Sequence, residues 1–151
     1  RHGYCIGGGW TTRCTCHIWC QYTGYYIKDC RWISICIAAS NKEVALKWEE
    51  ILKEKLSSCK IISTWNNVDK LSDKEQEEKS LNYVIDIERS NIFILQSDTN
   101  EQSENHVKMG IAVSRGMPIF IIGEKRNIFY WLSTVTMCDK IEEVIEKLKD
   151  K

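Results

Sequence analysis

Residues 103–123, SENHVKMGIAVSRGMPIFIIG, decide the fold. They read as a short helix, a turn and a buried strand. Val107, Ile111 and Ala112 recur at helical spacing with Val113 alongside, and this apolar set predicts the face turned to the core. Arg115-Gly116 closes the helix, and Pro118 precedes the apolar run 119–122 (IFII), a strand of the buried kind. Gly110 costs about 1 kcal/mol against alanine in a helix interior. It marks either close packing on a sheet or the close approach of a ligand.

Working outward, the same grammar repeats. Residues 33–39 (ISICIAA) are nearly continuous in apolar side chains, as a strand covered on both faces would be. Ser40 to Glu43 reads as a capping box opening a helix to about residue 57, with Val44, Leu46, Trp48, Ile51, Leu52 and Leu56 as its apolar set. Residues 59–65 (CKIISTW) form a second strand, 66–71 a loop, and Ser72 to Glu75 a second capping box. The charged helix that follows, to about residue 88, buries Leu81, Val84 and Ile85, and its charges form a solvated face. Residues 91–96 (NIFILQ) are the third strand and 97–102 a polar loop. Beyond the opening stretch come a helical turn at 127–132, a short strand at 135–137, and a third capping box, Asp139 to Glu142. The last helix turns Val144, Ile145 and Leu148 inward. Strand and helix alternating at this spacing predict an α/β fold, a doubly wound five-stranded parallel sheet in flavodoxin-like order 2-1-3-4-5, helices on both faces.

Of the 151 residues, 21 are basic and 21 acidic, giving a formal net charge of zero. Electrostatic capture of a nucleic-acid polymer or of an anionic membrane is therefore not expected. No apolar run approaches the ~18–20 residues that span a bilayer. No basic region followed by an apolar core marks a signal peptide, so a cytoplasmic protein is the expectation. Six of the 8 cysteines lie in the first 36 residues. Without a secretory signal an even count is poor evidence for disulfides, and the thiols are expected to be mostly reduced. Residues 1–31, rich in Gly, Cys, Trp, Tyr and Thr, show no periodicity. They read as an irregular extension, disordered or non-native since the chain does not begin with methionine, attached to a domain at 32–151. Cys14, Cys16, His17 and Cys20 within it lack the paired knuckles of zinc modules, so no metal is expected.

In such a sheet a ligand binds beyond the carboxyl ends of the strands, where the strand order reverses. That rim gathers Ala39, Ser40, Trp65, Ser97, Asp98 and the helix carrying His106. Each has a plainer role as well: Ser40 as a capping serine, Trp65 as half-buried packing, His106 as a structural histidine. The words of the chain add a resemblance. His106-Val107-Lys108-Met109-Gly110-Ile111-Ala112 followed by Gly116-Met117-Pro118 resembles the helix and turn of nucleoside 2-deoxyribosyltransferases and related nucleotide N-glycosidases. A strand ending Ala38-Ala39-Ser40, Trp65 after the second strand, and residues 123–129 (GEKRNIF), with Asn127, are similar to the same family over about residues 32–149.

The resemblance implies cleavage or exchange of the N-glycosidic bond of a deoxynucleoside or its 5′-monophosphate, without a cofactor, in a homo-oligomer. It also implies where the chemistry would sit. The family's nucleophilic helix glutamate is replaced here by Lys108, whose ammonium would repel the positive charge developing at the anomeric carbon. The family's base-binding aspartate lies one turn before Asp86, where Tyr83 stands. Asp86 or, one helical turn from Lys108, Glu104 are the carboxylates left for catalysis. The plainer reading of Lys108 is a surface i,i+4 pair with Glu104. Two readings follow: an enzyme with an altered nucleophile, or a catalytically silent relative that binds a nucleotide-like ligand or a protein.

Overall fold

The computed structural model describes residues 33–56, 59–65, 70–97 and 104–149. The expectations for residues 1–31, including the Cys14–Cys20 cluster, for 98–102 with Asp98, and for most of the 66–71 loop lie outside the described residues. Elements follow in the order β1 (Ser34–Ala39), α1 (Lys42–Lys55), β2 (Lys60–Trp65), α2 (Asp73–Glu88), β3 (Ile92–Gln96), α3 (Glu104–Ser114), β4 (Ile119–Ile122), a 3-10 turn (Ile128–Trp131), β5 (Val135–Cys138) and α4 (Ile141–Lys149). The five strands form one sheet in the order β2-β1-β3-β4-β5, and every pairing is parallel. The predicted topology is the observed one.

Because alternate side chains of a strand point to opposite faces, β1 feeds two cores. Ile35, Ile37 and Ala39 pack with Ala45, Trp48 and Leu52 of α1 and with Val144, Ile145 and Leu148 of α4. Cys36 and Ala38 face the other way, with Ile87 of α2 and Met109 and Ala112 of α3. Burial on both sides is why β1 reads as an unbroken apolar run. Each such isoleucine or leucine taken out of water contributes about 1.5–3 kcal/mol.

Two of the three expected caps are corrected. The N-cap of α1 is Asn41, whose side chain accepts from Val44 N–H at 2.9 Å. Ser40 instead donates its backbone N–H to Gln96 Oε1 at 2.9 Å, so the Ser40–Glu43 box is not formed. Ser72 is the N-cap of α2 as expected: its Oγ accepts from Glu75 N–H and donates to the Glu75 carboxylate. At α4 the residue reaching back is Glu143, not Glu142, and it accepts from Asp139 N–H at 2.7 Å.

The larger corrections concern which faces of α2 and α3 turn inward. Leu81 and Ile85 are exposed at 55% and 40%, Val84 is half-buried, and Ile87 is the buried anchor of α2. On α3, Val107 is 69% exposed, while Asn105, Lys108, Met109 and Ala112 are buried. Met109 and Ala112 fix the rotation by packing on β1 and β3. Helical spacing of i, i+3, i+4 and i+7 then carries Asn105 and Lys108 inward with them. Gly110 falls on the outer face, and a Cβ there would meet nothing within 4 Å, so it serves no close packing. Gly116 does what was expected of it. At φ 67° it ends α3, with Gly116 N–H on Val113 O and Met117 N–H on Ala112 O, the paired bonds of a Schellman motif.

Candidate functional site

The carboxyl ends of the strands meet as expected. Ala39 is paired with Trp65, and Gln96 with Ile122. The Ser40–Gln96 bond ties the exit of β1 to the exit of β3 across the point where the strand order reverses. Ser97 follows, its N–H on Ile122 O and its Oγ donating to Glu124 O at 2.6 Å. Gly123 passes so close that a Cβ there would lie 2.8 Å from Ser97 Cβ, and its φ of +124° is one that L side chains rarely adopt. The backbone of this rim is thus built from Ser97 and Gly123 together. Gln96 was missed in the sequence, where it reads only as the polar end of a strand.

Trp65 does not face the rest. It packs on the α1/α4 core with Lys42 Nζ 5.8 Å from its ring centroid. The titratable cluster lies on the opposite side of the sheet, between α2 and α3. There Lys108 Nζ sits 4.3 Å from the Tyr83 ring centroid and 3.9 Å from a Glu104 carboxylate oxygen. The Lys108 side chain is 4% exposed and that of Glu104 48%. This is the predicted i,i+4 pair, but not a surface one. Lys108 Nζ makes no hydrogen bond.

Burial pushes the Lys108 ammonium below the usual lysine range, and the neighbouring Lys79 charge adds to this while Glu104 and Cys36 oppose it. The Tyr83 hydroxyl is pushed up, first by burial and then by the negative charges of Glu104, Cys36 and Asp86. The Cys36 thiol is pushed up to about 12, chiefly by burial, with Lys108 lowering it and Asp86 raising it. Lys108, Tyr83, Glu104, Asp86 and Cys36 therefore share one electrostatic neighbourhood. Cys36 belongs to it unannounced, because a cysteine inside an apolar strand reads as a small hydrophobe.

The remaining predicted residues stand apart from that group. His106 Nε2 lies 3.3 Å from the hydroxyl of Tyr130, which is itself buried in the 3-10 turn, so the histidine ties α3 to that turn. Asn127 is the N-cap of the turn, accepting from Phe129 N–H at 2.9 Å. Gly110 points away from the cluster, on the exposed face of α3. Among the described residues no group of three or more His, Cys, Asp or Glu is placed to hold a metal ion. None of the described helices is long and apolar enough to cross a membrane.

The chain matches no protein-family model and no curated protein. Its fold is similar to that of the solved 2-deoxyribosyltransferase from the psychrotolerant bacterium Bacillus psychrosaccharolyticus, with a TM-score of 0.60 and 16% identity, over 78% of this chain and 91% of that one. A CMP N-glycosidase of Clostridium botulinum aligns over 75% of this chain and 97% of that one, at 18% identity and a TM-score of 0.47. The sequence resemblance to the nucleoside 2-deoxyribosyltransferases is thus met by a shared fold.

Proposed function

We propose that the chain binds a deoxynucleoside or its 5′-monophosphate and acts on the N-glycosidic bond, by transfer or hydrolysis. The observation that carries this reading is the group between α2 and α3 made by the buried Lys108, the half-buried Tyr83 and the half-exposed Glu104. It stands where the sequence resemblance places a nucleophile and a base-binding side chain. A tyrosine ring offers a face for an aromatic base, and the half-exposed Glu104 offers a carboxylate able to take or return a proton. Asp86, one turn from Tyr83 and within electrostatic reach of Tyr83 and Cys36, is the second carboxylate of the site.

A second reading is favoured by one observation, the absence of a carboxylate at position 108. In it the chain binds the ligand and leaves it intact. The two separate in one experiment: release of free base from a panel of deoxynucleosides and their 5′-monophosphates, with binding measured in parallel by calorimetry. Release supports the enzyme, binding without release supports the silent relative, and neither refutes both. The reading also carries a homo-oligomer, supported by the exposed Ile128, Phe129 and Trp131 on the 3-10 turn, which sedimentation would test.

A further inference from the structure

We propose that the amine of Lys108 is the covalent nucleophile of this site, forming a nitrogen bond and then an imine with the anomeric carbon of a 2-deoxypentosyl group. The proposal rests on the reading of the site given above. Three features of the geometry point to an amine held for chemistry. The Lys108 side chain is 4% exposed, yet its Nζ makes no hydrogen bond, and its nearest carboxylate oxygen is 3.9 Å away. An ammonium ion has three protons to satisfy and is costly to bury without acceptors. Beneath it lies the Tyr83 ring, which stabilises a cation only modestly, and within electrostatic range a Cys36 thiol that stays protonated until about pH 12.

What the surroundings fail to do for the cation, they do for the free base. Burial lowers the proton affinity of Lys108, and a desolvated lysine is one of the recognised activated nucleophiles. Glu104 is half exposed, and its carboxylate oxygen lies 3.9 Å from the amine. On this proposal the ligand enters past Glu104 to reach the amine.

The steps balance without an oxidant or metal. The lone pair of Nζ forms the bond to C1′ as the bond from C1′ to the base breaks and its electron pair leaves on the base nitrogen. The proton shed by the new ammonium passes to Glu104 and from there to the departing base. The nitrogen then forms a double bond to C1′ as the ring oxygen leaves with the proton from that nitrogen, giving an open-chain imine. Water adds to the imine carbon, the amine leaves, and a free 2-deoxypentose is released.

The full chain is incubated with 2-deoxyribose, and separately with the deoxynucleoside panel, in the presence of cyanoborohydride, and adducts are mapped by mass. The expected result is one reduced pentosyl adduct on the Lys108 peptide, favoured on the order of tenfold over other lysines for each pH unit by which its proton affinity is lowered. Lys108→Met and Lys108→Arg should both lose it, and near-ultraviolet circular dichroism shows whether each keeps the parent's packing. Should either unfold, the parent's own pH profile decides: capture at Lys108 must level off at a lower pH than capture at the exposed lysines. Label spread over the lysines in proportion to exposure overturns the proposal. Base release without a Lys108 adduct also overturns it, and leaves the functional reading standing. A Lys108 adduct from 2-deoxyribose without base release supports the amine and removes the N-glycosidic reading.

Discussion

Replacing Lys108 by methionine should stabilise the protein at pH 7. Methionine keeps the unbranched stem and fills the same volume, so the change removes the charge and little packing. Two attractions are lost. The pair with Glu104 is 3.9 Å long with a half-exposed partner and no hydrogen bond, so it contributes no more than about 1 kcal/mol. The contact with the Tyr83 ring contributes about 1–2 kcal/mol, of which a methionine sulfur against the same ring returns part. Against these stands the cost of holding an ammonium at 3% residue exposure, several kcal/mol, limited by the option of shedding the proton. The balance favours methionine by about 1–2 kcal/mol, or roughly 0.5–1 M in urea midpoint at an m-value near 2 kcal/mol/M.

The sign with pH follows from linkage. The folded-state proton affinity of Lys108 is lowered from the ordinary 10.5, so between the two values the unfolded chain binds more protons than the folded one. Parental stability therefore rises with pH through that window, by up to about 1.4 kcal/mol per pH unit. The methionine variant lacks this slope, so its advantage is greatest below the folded value and shrinks toward pH 10.5. Urea denaturation of both proteins between pH 6 and 9 measures it. A methionine variant less stable than the parent at pH 7, or an advantage that grows with pH, would refute the account of Lys108 as a poorly compensated buried cation.

Other predictions follow from the same geometry. Gly110→Ala and Gly123→Ala are one substitution with opposite outcomes. The first adds a methyl in open space on a helix and should stabilise by about 0.5–1 kcal/mol. The second places a Cβ 2.8 Å from Ser97 Cβ at φ +124° and should destabilise by about 2–4 kcal/mol; thermal melts of both variants check the pair. Above pH 9 the Cys36 thiol ionises in the unfolded chain while the folded thiol holds its proton to about 12. It should therefore cost the parent about 1.4 kcal/mol per pH unit there, a slope that Cys36→Ala reduces in denaturation curves at pH 9 and 10.5.

The sequence alone determined the architecture. An unbroken apolar β1, the alternation of strand and helix, the Gly116 stop and the Ser72 cap are local features, each with one physical reading. Consecutive parallel strands joined by right-handed crossovers leave few topologies to choose among. The resemblance carried by the His106–Ala112 stretch was legible too, and the fold agrees with it. Tertiary structure alone decided rotation and partnership. Val107 and Lys108 are neighbours in the chain, and an apolar residue is the natural choice for the inward face. The packing of Met109 and Ala112 on the sheet set that face instead, one helical step of about 100° from the expected one. Strand alternation likewise sent Trp65 to one side of the sheet and Cys36 to the other. A one-dimensional pattern can say which residues are apolar. Which lysine lies buried beside a tyrosine depends on the angle at which two helices settle on a sheet, set by the sum of all their contacts.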